Sequence, residues 1–537
     1  MNIITHIVMW LWIPCILYLF KVMQDAGRKL HRQNVPYKNH TLSISTVNQS
    51  TNNSFHFGGE GVLGLWVSND STRQAAIIAF VASWLFLPVA RYNIPVLPDY
   101  TKMSATCIGV LMASMQFDSK RLASFSFNFT DIPMFLWLIS PFISSLSNGL
   151  GLWDALAALF QQVVSWGMPY FIGRLYINDI AGLHDLARGI FYGGLVYIPL
   201  CLLESRISPQ LHRMLYGFMA HYDFSQTYRM GGWRPMVFMS HGLMVGVWMM
   251  AVTLNGYWMY RHAALDNVKK ALRLPLIMPI LYFTMVWIRS FGAVMLLVMG
   301  LGLLIFSTKT KLRLALAAFL LLPPLYMFSG VFNIPLGQMV VDGVTSINAE
   351  RASSLAFRVD NEHILVEKAM QRPIFGWGGW GRARVYNHLG EDISVTDSLW
   401  IIVLGNYGVF GLLFMWLVFF MPVFLFMIKF KAILWSQKEY APIASLSIMI
   451  ALYTVDNLIN AMENPIFIFV AGALSGTMMT KNQNNNYDKH KNTINHKKTK
   501  LYSSNTQGYH KGNLHFKEDQ VQDISKQQRK NKTQRFL

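Results

Sequence analysis

The chain has 537 residues, of which 53% are hydrophobic and only 14% charged, where a soluble protein of this length carries about a quarter charged residues. Its formal net charge is +19, but Lys and Arg lie in short connectors and in the polar stretch after Thr480, a distribution that favours membrane topology over nucleic-acid binding. Cys15, Cys107 and Cys201 each fall inside a different apolar run, which excludes a disulfide framework and a cysteine metal site.

The run Ile3–Phe20 lacks a basic segment before it and a small-residue cleavage site after it, so it reads as a first transmembrane helix, not a cleavable signal. Lys21, Arg28, Lys29, Arg32 and Lys38 follow and are expected to stay cytoplasmic, together with an Asn/Ser/Thr-rich linker that carries sequons at Asn39 and Asn48. Residues 1–73 thus form one helix plus a polar cytoplasmic linker.

Residues 74–329 read as a transmembrane bundle. Its spans are expected near Ala75–Ala90, Lys102–Phe117, Pro133–Leu146, Leu150–Ile172 and Gly189–Leu203, then Pro235–Tyr260, Leu274–Ile288, Phe291–Phe306 and Leu314–Phe328. A long connector, 330–398, precedes the last spans in 399–480, at Leu399–Phe430, Ile443–Leu458 and Pro465–Met479. Each run is long enough to be read as a helix crossing a hydrocarbon layer about 30 Å thick, inside which the backbone must satisfy its own hydrogen bonds. The expected fold is therefore an all-α, polytopic bundle of about 12–13 helices with a long extracytoplasmic loop. Leu399–Phe430 exceeds one untilted crossing and is expected to tilt or to begin outside the membrane.

Connectors rich in Lys and Arg, such as Arg261–Arg273, Lys309–Arg313 and Lys429–Lys438, belong inside. That leaves Arg91–Thr101, Ser147–Gly149, Glu204–Arg234, Arg289–Ser290, Gly330–Ser398 and Ala461–Glu463 outside. The basic tail, 481–537, has too few apolar residues to fold and is expected to be disordered and cytoplasmic.

The chemistry-bearing residues lie in the outer connectors. Arg229 and Arg234 flank a Gly-Gly pair just before His241. An Arg there either snorkels to lipid headgroups or uses its planar fork on phosphate. Arg289, in a very short outer turn, and Arg358, in the long loop, add cations on a face that topology should deplete of them, and this points to an anionic ligand. Asn361–Met370 has the apolar spacing of a short amphipathic helix, broken by Pro373. Gly376, Gly378 and Gly381 satisfy a G-x-G-x-x-G spacing without the strand context of a dinucleotide site. Trp377 and Trp380 offer flat faces to a sugar, or anchor at the membrane interface. Asp397 stands at the start of an apolar helix, as a cap or as a general base; His241 is a second candidate base.

Two runs, Arg372-Pro-Ile-Phe-Gly-Trp-Gly-Gly-Trp-Gly and Thr396-Asp-Ser-Leu-Trp-Ile-Ile-Val-Leu-Gly-Asn-Tyr-Gly408-Val-Phe-Gly411, resemble the bacterial O-antigen ligase/polymerase superfamily. So do the Arg-x-Gly-Gly-x-x-Pro segment Arg229–Pro235, the turn Arg289-Ser-x-Gly-Ala293, and Arg358 upstream of its helix; the resemblance spans roughly Ser225 to Gly476. Ligases of that superfamily carry a His-Asn pair eleven residues before the Gly that Gly408 matches. Here the position is Asp397, followed by Ser398.

The resemblance implies a metal-independent, cofactor-free glycosyltransferase, multi-pass in the bacterial inner membrane. Its donor would be an undecaprenyl-pyrophosphate-linked glycan, its acceptor a glycan or lipid, and its surroundings membrane lipids; no nucleic acid is involved. Arg229, Arg234, Arg289 and Arg358 would bind the pyrophosphate, and Asp397 or His241 would take the acceptor's proton. The competing reading is a transporter or flippase of a lipid-linked or anionic solute, marked by ionisable residues and broken helices at mid-membrane depth.

Overall fold

The computed structural model describes residues 2–33, 70–94, 99–221, 224–332, 334–346 and 349–479. The linker with Asn39 and Asn48 and the basic tail after Thr480 lie outside the described residues. The structure is 74% helical, and its two short hairpins, β1 (Arg91–Tyr92) with β2 (Tyr100–Thr101) and β3 (Tyr228–Arg229) with β4 (Gly232–Trp233), leave the architecture all-α.

The helices run in chain order as α1 (Ile3–Gln33), α2 (Ser71–Phe86), α3 (Lys102–Phe117), α4 (Ser119–Ala123), α5 (Ile132–Ser147) and α6 (Leu152–Gln162). A π-turn, Val163–Gly167, joins α6 to α7 (Met168–Tyr176) as one rod. Next come α8 (Ile180–Ile207), α9 (Leu211–Tyr216), α10 (Gly242–Arg261), α11 (Asp266–Lys269), α12 (Leu274–Trp287), α13 (Phe291–Thr310) and α14 (Leu314–Val331). The long connector holds α15 (Leu336–Thr345) and α16 (Ala349–Ala369), and the chain closes with α17 (Leu399–Lys429), α18 (Ala441–Asp456) and α19 (Pro465–Met479).

Among the described residues six helices are long and apolar enough to cross a membrane: those beginning at Ile3, Phe129, Ile180, Phe291, Leu314 and Leu399. Large apolar side chains such as Trp10, Leu276, Val286 and Phe328 face outward, more than half exposed. Water would penalise so continuous an apolar exterior, whereas lipid accommodates it. The protein is an α-helical membrane bundle.

Contacts between connectors sort the bundle into two ends. At one end Thr5 bonds Tyr216 O (2.8 Å), His212 accepts from Val89 N (3.0 Å), Asn148 bonds Gly376 O (2.9 Å) and Arg358 bonds Ile459 O (3.0 Å). At the other, Gln24 bonds Phe117 O (2.9 Å), His184 meets Glu439 O (2.7 Å), Arg313 bonds Met427 O (2.8 Å) and Lys429 bonds Met478 O (3.1 Å). Every connector that charge bias assigns outside and that takes part in these contacts gathers at the first end, henceforth the mouth.

Two expectations shift. The span expected from Pro235 becomes helical only at Gly242, because Pro235–Ser240 is bound to other helices as described below. The expected helix Asn361–Met370 is the second half of the longer α16.

At the centre lie α18 and α19, buried along almost their whole lengths. With 16 and 15 residues they reach only about 24 and 22 Å at 1.5 Å per residue. They fall short of a full hydrocarbon layer, and the connector between them, which meets Arg358 at the mouth end, forms the floor of the mouth.

Candidate functional site

The hairpin β3–β4 turns through Met230 and Gly231, both at positive φ (51° and 71°), the type I′ geometry suited to a two-residue loop. Beyond it the chain is pinned residue by residue. Arg234 N donates to Thr227 O (2.7 Å), and Glu204 of α8 accepts from Met236 N (2.8 Å) and Val237 N (2.6 Å). The Tyr197 hydroxyl accepts from Phe238 N (3.1 Å), while Lys102 Nζ donates to Phe238 O (3.3 Å) and Trp84 O (3.1 Å). Val237 is thereby held at φ 51°, a left-handed conformation that a β-branched residue adopts only when its surroundings impose it. This pinned segment carries Arg234 at one end and His241 at the other.

Arg289 occupies the short turn between α12 and α13, also left-handed at φ 56°. Its guanidinium donates to Trp233 O (3.2 Å) and Trp287 O (3.4 Å) and lies 5.0 Å from the Trp287 ring centroid. It covers Gly232, where any side chain would collide with it. Arg234 crosses Gly242 at the start of α10 and donates to the Ser290 hydroxyl (3.1 Å), next door to Arg289. Arg229 stands opposite Gly232 in the hairpin register. Three of the four predicted cations thus converge where α10 and α13 begin, and the backbone N–H groups of helix starts attract anions.

His241 caps α10: Leu243 N donates to its Nδ1 at 3.0 Å, which places the imidazole proton on Nε2. Nε2 is then a hydrogen-bond donor, not a proton acceptor. The charges of Arg234, Arg358 and Arg229 all act on this ring, and His221 stacks edge-on at 5.2 Å.

Arg358 projects from α16 toward the floor. It pairs with Asp397 (3.4 Å) and donates to Ile459 O (3.0 Å) and Asn460 Oδ1 (3.1 Å). Asn460 in turn donates through Nδ2 to Asp456 Oδ1 (2.7 Å), at the last residue of α18. Asp397 therefore salt-bridges; Ser398 holds the N-cap position of α17, and its hydroxyl donates to Glu362 (2.7 Å). Glu362, one turn beyond Arg358, also accepts from Tyr326 (2.7 Å) and Trp400 (3.2 Å), joining α14, α16 and α17. Burial pushes the Glu362 carboxyl above the usual glutamate range, against the pull of the Ser398, Tyr326 and Trp400 hydrogen bonds.

The Pro-Ile-Phe-Gly-Trp-Gly run has a structural task. α17 is two helices broken at Gly408 (φ 66°), and the run lies along the break. Trp377 N donates to Gly405 O (2.8 Å) and Gly378 N to Asn406 O (2.9 Å), while Val409 N donates to Pro373 O (2.8 Å) and Phe410 N to Ile374 O (3.1 Å). Gly376 and Gly408 touch the opposing backbone so closely that neither position has room for a Cβ. The long apolar run thus resolves into two helices joined at a break. Trp377 is clasped between Lys368 (4.0 Å) and Arg372 (4.7 Å), with its indole N–H on Lys368 O (2.8 Å), whereas Trp380 is 81% exposed. Of the two predicted sugar platforms, Trp380 is the more open.

The geometry unites Arg229, Arg234, Arg289 and His241, and brings Arg358 with Asp397 into the same electrostatic field. Residue patterns alone missed Glu204, Glu362, Asn460 and Asp456 as members of the site. Glu204, Asp456 and Asn460 are polar residues inside or at the edge of an apolar span, a costly placement and hence a signal, whereas Glu362 lies in the long connector and carries no such signal. Together, fold and site define a polytopic membrane protein with a cation-rich mouth over a buried carboxylate. No protein-family model matches the chain, and no curated protein matches it in sequence.

Proposed function

We propose that this protein is an O-antigen ligase/polymerase-like glycosyltransferase of the bacterial inner membrane, acting at the periplasmic face on an undecaprenyl-pyrophosphate-linked glycan. The observation that carries the reading is the convergence of Arg234 and Arg289 on Ser290 and the β3–β4 hairpin, at the starts of α10 and α13. Attack by an acceptor hydroxyl on the anomeric carbon breaks the bond to the lipid pyrophosphate, whose charge rises as it leaves. Donors fixed beforehand lower that barrier because they need no reorganisation during the reaction. Arg289 is so fixed by Trp233, Trp287 and its left-handed backbone, and Arg229 and Arg234 stand beside it.

The test is glycan transfer in isolated membranes from a lipid-pyrophosphate donor, comparing wild type with Arg289→Lys. Lys keeps the charge but loses the two-pronged fork and the stacking, so transfer should fall about a hundredfold, the scale of removing one transition-state donor, at equal protein level. A fully active Arg289→Lys protein would sink pyrophosphate binding at this place.

The second reading, transport, is favoured by the break in α17 at Gly408. In transporters such breaks leave backbone groups for the cargo. Here the chain's own Pro373–Gly378 segment occupies them, which weighs for the transferase.

A further inference from the structure

The transferase reading needs a group to take the acceptor's proton, and neither residue nominated by sequence is well placed. His241 presents a donor nitrogen, and Asp397 is an outlying carboxylate, 41% exposed and paired with Arg358. Asp456 differs from both. It is 4% exposed, at the floor of the mouth. Its Oδ1 is fixed by Asn460 Nδ2, and Asn460 is itself fixed by Arg358 through Oδ1. Its Oδ2 is buried with no hydrogen-bond partner among the described residues. The charges of Arg358 and Arg234 both act on this carboxylate.

A buried carboxylate oxygen without a donor is costly. Its persistence here, in a carboxylate oriented from the other side by an Arg–Asn relay, is explained if a ligand supplies the missing O–H. The residue is enclosed although it ends a helix, because the turn Asn457–Asn460 that follows packs against the start of α17, its carbonyls receiving Leu399 N (3.1 and 3.3 Å).

We infer that Asp456 is the general base of this site, with Oδ2 accepting the proton of the acceptor hydroxyl. The acceptor oxygen bonds to the anomeric carbon as the carbon–oxygen bond to pyrophosphate breaks. The bonding pair leaves on the pyrophosphate, and the hydroxyl proton passes to Asp456 Oδ2 and then to water once product departs. Asn460 is a positioning residue that holds Oδ2 toward the acceptor.

This inference rests on the transferase reading, and the experiment separates the two. Full-length wild type, Asp456→Asn, Asn460→Ala and Arg289→Lys are assayed in membranes with a lipid-pyrophosphate glycan donor, with protein level and thermal stability in detergent recorded for each. Asn at 456 retains the Oδ1 acceptor and the shape, so a purely structural role predicts near-normal turnover. The inference predicts a loss in kcat of about a hundredfold or more with donor KM within about twofold of wild type. Asn460→Ala should lower kcat about tenfold, by letting the carboxylate turn, also with little change in donor KM; this arm decides the matter if Asp456→Asn fails to accumulate. Normal kcat in Asp456→Asn alongside a crippled Arg289→Lys overturns the inference and leaves the transferase reading standing. A wild type that transfers no glycan from such a donor overturns both.

Discussion

Two clusters of arginine in the bundle are held in opposite ways. Away from the mouth, one cluster of guanidinium groups meets carboxylates. Arg73 bonds Asp185 (2.9 Å) and Asp179 (3.2 Å), Arg121 bonds Asp70 (2.5 Å) and Asp118 (2.8 Å), and Arg174 bonds Asp131 (3.0 Å). These pairs tie α2, α4 and α8 together and α7 to the residue before α5, and their charges cancel where they stand. At the mouth Arg289 rests on two carbonyl oxygens and an indole ring, and Arg234 donates to a hydroxyl. Neutral acceptors orient a guanidinium without neutralising it, so its field remains available to a ligand. The same residue type is a staple in the first cluster and, on the proposed reading, a binding group in the second.

The sharpest way to break that contrast is to remove a staple. In Arg73→Ala the buried Asp185 loses its cation, and breaking a buried pair from one side costs about 3–5 kcal/mol. Thermal unfolding in detergent should therefore occur at a much lower temperature, with poor accumulation in membranes. The Arg289→Lys substitution is the opposite case: activity collapses while the unfolding temperature barely moves. If Arg289→Lys destabilised the protein as Arg73→Ala does, the two clusters would not differ in kind.

The next effect is smaller and tests how the mouth is held. Glu204 accepts from Leu211 N, Met236 N and Val237 N through both oxygens. Gln has one acceptor oxygen, so at least one buried N–H loses its partner, at about 1–3 kcal/mol. Val237 then relaxes from its left-handed conformation and Arg234 moves with it. Transfer should drop about tenfold, chiefly in kcat, a larger loss than the modest fall in unfolding temperature explains. Activity that tracks the folded fraction would mean that Glu204 supports the bundle and not the site.

How far the sequence could be read follows from these examples. Hydropathy locates the spans because lipid imposes it on every turn of every helix, and charge bias orders the connectors for the same reason. Arg229, Arg234 and Arg289 stand out because they are cations on the face that this bias depletes. The break at Gly408 is hidden, since an apolar run reads alike whether continuous or interrupted; the Gly-rich run Gly376–Gly381 that fills it carries a phosphate-loop spacing without any such use. Glu204 and Asp456 are visible as letters, but their partners are 32 and 98 residues away at Met236 and Arg358, and only the folded chain brings them together.

The smallest predicted effect concerns Asp397, where family pattern and geometry part. The superfamily's ligases have a His at this place, which makes Asp397 the natural substitute base. The structure puts its carboxylate 3.4 Å from Arg358 in a partly exposed pair, its side chain 41% exposed, and gives the helix start to Ser398. A pair of that exposure is worth at most about 1 kcal/mol, and Arg358 keeps its bonds to Ile459 O and Asn460 when the pair is lost. Asp397→Asn should therefore cost a few-fold in transfer, through a slightly looser Arg358, with unchanged thermal stability because no cap is removed. Measured beside Asp456→Asn in the same membranes, it divides the two carboxylates cleanly. A few-fold loss at Asp397 with a hundredfold loss at Asp456 places the base at the floor of the mouth. A hundredfold loss at Asp397 would move it to the rim, and Asp397→His, which restores the residue type of the ligases, should then recover activity.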